Sequence, residues 1–259
     1  MIQLANLNPV TADAIALTAI VDSALCVGAG GSSGSLADKP LLKTATGHLV
    51  IPASQLKGRL RHECEKLTRG LRWPTCASPV AETMCPQVGL SNPDFRISDY
   101  DLDLTFASGD LQRHCLICQI FGNPALPARL QVSDLVCVTP PAEIPEVLRP
   151  GVSINRRRRT AEEKKLYFLE TSPVNMALEF SGTLTLAPDC PEFAKALILA
   201  GLHHIHALGG SKSAGLGWLH WGSPRSPDLP IDSQVWDFLG RAGTNASTAQ
   251  PTAATEGTP

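Results

Sequence analysis

The chain has 259 residues, 43% of them apolar and only 5% aromatic, with a net charge of -2. That length suits one large domain or two small ones, with a core of Leu, Ile, Val and Ala rather than of rings. A balance so near neutrality excludes a general polycation, so any nucleic-acid surface has to be local. No run is long and apolar enough to span a bilayer. The start, M-I-Q-L-A-N-L-N-P-V, lacks a signal peptide's basic region and apolar block. These features predict a cytoplasmic protein with no membrane partner. Its eight cysteines are then free, metal-bound or redox-active rather than disulfide-bonded.

In chain order, residues 14–28 partly alternate and are rich in Ile, Leu and Val, which predicts a first strand. Ala29 to Ser35 is a glycine-serine loop able to approach a ligand closely. Asp38 follows, between small residues and Lys39-Pro40. A carboxylate in such a loop can be an ordinary turn acid, or can hold a divalent metal or take a proton beside a phosphate-binding surface. From Ser54, a plausible N-cap, to about Gly70, Leu56, Leu60 and Leu67 mark an amphipathic helix. Its other faces carry Lys57, Arg59, Arg61, His62, Lys66 and Arg69. Cations in a first turn oppose the helix dipole unless an anion lies nearby, which favours phosphate binding over a merely solvated face.

Residues 71–113 are irregular and rich in Pro and Asp, and an insertion over about 71–127 needs a staple other than a core. Cys76 and Cys85, with the C-x-x-C of Cys115 and Cys118, suit a tetrahedral structural zinc. His114 or His62 could replace one thiol, and core cysteines or a redox pair are the competing readings. Residues 128–139 alternate and predict a strand. Residues 149–170 read as a projecting hairpin with Arg156, Arg157, Arg158 and Arg159 near its tip, and such a cluster favours a polyanion contact. Residues 177–187 predict a further strand, 191–208 a helix, and W-L-H-W-G a last strand. Between the last two lies a loop, Gly209 to Gly217, with Gly210, Lys212 and Ser213. Its glycines leave N–H groups free to face phosphates, although it is not a Walker A sequence. From about 224 to 259 the Pro/Ser/Thr/Ala-rich composition predicts a largely disordered tail.

The element order predicts an α+β, ferredoxin-like β-α-β-β-α-β sheet over 1–223, with the insertion and a thumb at about 149–170. This sheet is also the platform of RNA-binding modules, although the stacking aromatics of the RNA recognition motif are not visible.

Four blocks together resemble the RAMP superfamily, the repeat-associated proteins of CRISPR systems. I-P-A-S-Q-L-K-G-R-L-R is similar to the family's I-P-G-S-S-L-K-G-x-L-R, and C-L-I-C-Q-I-F-G to its C-x-x-C-x-L-F-G. R-P-G-V-S-I-N-R with L-Y-F-L-E resembles its R-x-G-V-x-I-D-R hairpin, and L-G-G-S-K-S-A-G-L-G its L-G-G-x-K-S-R-G-x-G loop. The departures are Ala53, Gln55, Asn155 and Ala214. The resemblance is strongest to backbone subunits of type III effector complexes, the Csm/Cmr type.

It implies subunits that polymerise along a guide RNA with other effector subunits. Ser54, Lys57, Arg61 and the glycine loop would hold the guide, and the thumb would wedge into the guide–target duplex. Asp38 in D-K-P-L-L-K matches the family's D-x-P-hydrophobic-hydrophobic pattern, which implies cleavage of target RNA with a divalent cation such as Mg2+. A subunit that only holds guide and target RNA is the alternative, and a stand-alone guide-processing ribonuclease a third, for which no acid–base set is evident. Base pairing, not this chain, would then set target specificity.

Overall fold

The computed structural model describes residues 13–28, 37–73, 75–85, 114–222, 237 and 239. The glycine-serine loop after residue 28, the middle of the insertion at 86–113 and nearly all of the predicted tail lie outside the described residues. The fold is α+β with antiparallel pairing. Its strands are β1 (Asp13–Val21), β2 (Val50–Ile51), β3 (Leu130–Val132), β4 (Leu135–Cys137), β5 (Val147–Asn155), β6 (Thr160–Thr171), β7 (Leu178–Leu186) and β8 (Leu219–Trp221). The described α-helices are α1 (Ala53–Gly70), α2 (Leu116–Phe121) and α3 (Glu192–His203). Among the described residues no helix is long and apolar enough to cross a membrane.

The chain forms two compact units. The first comprises Met1–Leu60, Gln131–Thr185 and Leu202–Pro230; the second comprises Arg61–Leu130, Leu186–Gly201 and Ile231–Pro259. In the first, a sheet runs β2-β4-β7-β1-β8, with β3 beside β7, and β5 and β6 form a separate two-stranded ribbon. The β1–β8, β2–β4 and β4–β7 pairs are antiparallel. Inward positions follow the period of two: Leu17, Ala19 and Val21 on β1, and Leu178, Phe180 and Leu184 on β7, are buried.

Gly182 breaks the apolar row of β7 for a reason. A Cβ there would lie 2.5 Å from Leu135 Cδ2 and 2.8 Å from Asp134 O. Its absence lets the Ser133–Asp134 turn between β3 and β4 lie against β7, where the Ser133 amide donates to Thr183 O and the Thr183 amide to Ser133 Oγ. That turn aims Asp134 at the start of α1, whose Ala53 amide donates to Asp134 Oδ1 at 2.7 Å.

Three sequence expectations are corrected here. The helix begins at Ala53, so Ser54 lies inside the first turn and the capping acceptor is Asp134, not the Ser54 hydroxyl. The first strand ends at Val21, not at residue 28. The helix read as 191–208 ends at His203, because the chain beyond it pairs with the start of β8. Leu219 donates its amide to His206 O, and Leu208 its amide to Gly217 O.

The second unit holds the rest of α1, α2 and most of α3. Cys64 on α1 donates to Leu197 O at 3.5 Å, and Ala194, Leu197, Ile198 and Ala200 of α3 are fully buried. Burial pushes the thiols of Cys26, Cys64, Cys137 and Cys190 up, the last to about 11, which suits inert packing residues.

Candidate nucleic-acid interface and metal centre

Residues 24–28, just past β1, form an extended segment that organises the first unit. Its even-numbered carbonyls serve one neighbour. Ala24 O accepts from the Gly217 amide at 2.8 Å and Cys26 O from the Gly210 amide at 2.6 Å, which seats the glycine loop. Its odd-numbered groups serve two others. Leu25 N–H donates to Ser172 Oγ and Leu25 O accepts the Ser172 amide, tying in the end of β6. Val27 O accepts the Leu42 amide, and Gly28 bridges Leu41, fixing the strap that carries Asp38. One short segment thus holds the glycine loop, the foot of the β5–β6 hairpin and the Asp38 strap, none of them adjacent in sequence. The alternation of residues 14–28 is its only sequence signal.

Asp38 is exposed and fastened to β6. Its own amide donates to Phe168 O at 3.0 Å, and its Oδ2 accepts the Phe168 amide at 2.7 Å. Lys39 bridges Leu169, and the Glu170 amide donates to Lys39 O. The buried Glu170 carboxylate then accepts the Leu41 amide at 3.0 Å and pairs with Lys43 at 3.1 Å. Lys43 also meets Glu146 at 2.6 Å, and this hydrogen bond, ahead of the one to Glu170, holds its ammonium above the usual lysine range. The acid is therefore presented at the foot of the hairpin by backbone pairing, with its second oxygen free of protein partners among the described residues.

The hairpin runs from this foot to a four-residue tip, Arg156 to Arg159. All four arginines are exposed, and no guanidinium there has a protein partner among the described residues. Asn155 builds the tip: its Oδ1 accepts the Arg157 and Arg158 amides, its carbonyl the Arg159 amide, and its Nδ2 donates to Glu162. The pairs Pro150–Phe168 and Val152–Leu166 lie opposite each other, which lines up one apolar face of the ribbon. Leu166 is 61% exposed there.

The glycine loop is geometrically demanding. Gly217 has φ +72°, and a Cβ there would fall 1.8 Å from Leu208 O; Gly209 has φ +96°, and a Cβ there would meet Cys26 O at 2.7 Å. These glycines seat the loop, and the amides of Gly210 and Gly217 are already used within the protein. Lys212 and Ser213 are exposed, and Lys212 Nζ folds onto Gly209 O at 3.0 Å.

On α1, Ser54 is exposed and Lys57 and Arg59 are half-buried. Asp134 is itself an anion at the helix start, so the dipole argument no longer requires a phosphate there. Arg61 goes elsewhere. Its Nε donates to Glu65 Oε1 at 3.1 Å, its Nη1 to Gly122 O at 2.8 Å, and its Nη2 to Cys118 Sγ at 3.7 Å, all within the second unit.

That last contact leads to the thiol cluster. Cys76, Cys85, Cys115 and Cys118 are all buried, and their sulfurs lie within 4.8 Å of one another. Cys76 and Cys118 are 3.6 Å apart. A tetrahedral zinc with bonds of about 2.3 Å needs sulfur–sulfur edges of about 3.8 Å. The four buried thiols are therefore close enough together to hold a metal such as zinc. The Cys115 amide donates to Cys85 Sγ at 3.3 Å, a bond that favours thiolate. Hydrogen bonding from Cys115 holds Cys76 and Cys118 below the usual thiol range, while Cys115 is itself pushed up by its bond with Cys118, and Cys85, despite the lowering by Cys115, is pushed up by Cys118 and Cys76. His114 stands beside the cluster, not in it, with Nδ1 against Asn123 Nδ2 at 2.9 Å; His62 is exposed on α1. All four ligands are thus available from cysteine alone.

A family model described as the RAMP superfamily matches residues 18–220. No curated protein matches the chain.

Proposed function

The chain belongs to the RAMP superfamily, and from that membership we propose that it is a backbone subunit of a type III CRISPR effector complex that binds guide RNA and cleaves target RNA at Asp38. Membership associates it with the RNA-binding proteins of CRISPR systems, which typically act with RNA in multisubunit complexes. The antiparallel β4-β7-β1-β8 order within the sheet, with α1 lying between β1 and β4 and α3 between β7 and β8 along the chain, supports reading the sheet as ferredoxin-like. The guide backbone would meet Ser54, Lys57, Arg59 and the exposed Lys212–Ser213 of the glycine loop, and Gly209 and Gly210 set that loop's shape. The arginines at the hairpin tip would grip phosphate, and its apolar face would part stacked bases.

One observation carries the catalytic reading: Asp38 is exposed and locked to Phe168 at the root of the basic hairpin, while its other oxygen has no protein partner among the described residues. A target strand parted by the hairpin would pass this carboxylate. Asp38 Oδ1 would accept the proton of a target 2′-hydroxyl. The 2′-oxygen would then form a bond to the adjacent phosphorus as the bond to the 5′-oxygen breaks, leaving a 2′,3′-cyclic phosphate and a 5′-oxygen that takes a proton from water, while Asp38 later returns its proton to solvent. A divalent cation such as Mg2+ would supply charge neutralisation at that phosphate. One carboxylate oxygen can hold such an ion only if the RNA phosphates supply further ligands. The thiol cluster is read separately, as a structural zinc centre of Cys76, Cys85, Cys115 and Cys118.

The second reading, a subunit that only holds RNA, is favoured by the same bond. An acid that both donates to and accepts from Phe168 has a structural task already. Purification with small RNA of defined length tests the shared part of both readings. Loss of cutting at the facing sites in Asp38→Ala, with assembly intact, separates them.

A further inference from the structure

We propose that Arg61, which the family motif would assign to guide RNA, is instead the positioning residue of the thiol metal centre. The proposal rests on the zinc reading above. A zinc held by four thiolates carries a net charge of about -2, and such centres depend on surrounding donors to offset it and to fix the ligands. Arg61 is placed for both. Its Nη2 reaches Cys118 Sγ at 3.7 Å, while Nη1 donates to Gly122 O at 2.8 Å, at the end of the short helix that carries Cys118. Gly122 in turn donates its amide to Cys118 O. Ligand and helix end are thus gripped by one planar group.

The grip is fixed from behind. Glu65, one turn later on α1 and only 11% exposed at its side chain, accepts from Arg61 Nε at 3.1 Å. Gly122 is held in place by its own geometry: at φ +82°, a Cβ would lie 2.8 Å from the Ala128 amide nitrogen. With three of its five N–H donors engaged within the second unit and only 23% of its side chain exposed, Arg61 has its guanidinium oriented by the thiol cluster and the helix end rather than turned out to solvent. A lysine could not reproduce the three-way contact, since it carries one nitrogen at the end of its chain.

The test is a chelator competition on the full-length protein loaded with zinc, repeated with cobalt, whose thiolate absorption reports the ligand set directly. Arg61→Ala and Arg61→Lys should each release metal about 10- to 100-fold more readily than wild type. Lys57→Ala should leave metal affinity unchanged. In the same proteins, held at saturating zinc, binding of a labelled single-stranded RNA should fall for Lys57→Ala and stay at the wild-type level for Arg61→Lys. If Arg61→Ala does not fold, Arg61→Lys carries the comparison. Wild-type metal affinity in Arg61→Lys together with weakened RNA binding would overturn the proposal. A wild-type protein that binds neither zinc nor cobalt would instead overturn the zinc reading on which it rests.

Discussion

The bond between Asp38 and Phe168 gives Asp38 two separable roles, and two substitutions pull them apart. Asp38→Ala removes both the charge and the acceptor for the Phe168 amide, 2.7 Å away. A hydrogen bond to a charged group contributes about 1.5–3 kcal/mol, and with Asp38 exposed to water the lower end or less applies, about 1 kcal/mol. For a chain of this size that is a loss of about 2–4 °C in melting temperature. Asp38→Asn keeps a carbonyl oxygen for the Phe168 amide and should stay within about 1 °C of wild type. Both variants lack the carboxylate. If it takes the 2′-hydroxyl proton or holds the cation, both should lose about 100- to 10,000-fold in target cleavage. The assay is single-turnover cleavage of a labelled target by the assembled complex, beside thermal unfolding of each subunit. Cleavage by Asp38→Asn within a few-fold of wild type would refute the catalytic role and leave the acid as a backbone clamp.

Three further outcomes follow from the geometry. Metal analysis should find about one zinc per chain, and acidification should release it, because protons compete for the four thiolates and the stability they give with metal is present near neutrality and lost as pH falls. Replacing Arg156 to Arg159 with Ala should flatten the salt dependence of single-stranded RNA binding by up to about 3 in log–log slope, about 0.7 for each phosphate no longer neutralised; an unchanged slope would exclude phosphate binding by the tip. Gly217→Ala should prevent correct folding, read by circular dichroism and solubility, since its Cβ has no room beside Leu208 O. Gly215→Ala, also at positive φ but with open space around it, should cost only about 1 kcal/mol in denaturant unfolding.

The parts legible in the sequence are those built from local repeats. The alternation of 177–187 becomes β7, and the apolar spacing on α1 becomes the buried pair Leu56 and Leu60. The stripe then continues through Cys64 and Thr68, while Leu67 is only half-buried. The alternation of 128–139 becomes two strands, β3 and β4, because the Ser133–Asp134 turn interrupts it. The spacing of the four cysteines shows which thiols to group, and the fold shows that they meet. What the sequence hides are contacts made at long range by single polar groups. Asp134 caps a helix 81 residues before it, and Arg61 reaches a carbonyl 61 residues after it. Nothing in the composition around either residue announces a partner so far along the chain.

The same distinction explains why this chain departs from the family motifs where it does. Ala53 stands for the usual Gly, and the structure uses its backbone: the amide bonds Asp134, and a methyl group does not interfere. Ala214 stands for the usual Arg in an exposed turn where its amide bonds Ser211 O, so the fold asks nothing of the side chain. Asn155 is different, because its side chain works. An aspartate could accept the Arg157 and Arg158 amides equally well, but it would set a second carboxylate against Glu162, where Asn155 Nδ2 now donates at 3.2 Å. The amide therefore keeps the turn and removes a like-charge contact beneath four arginines. The tip keeps its shape, with Glu162 satisfied by a hydrogen bond rather than by one of the cations. All four guanidinium groups stay available to an external polyanion.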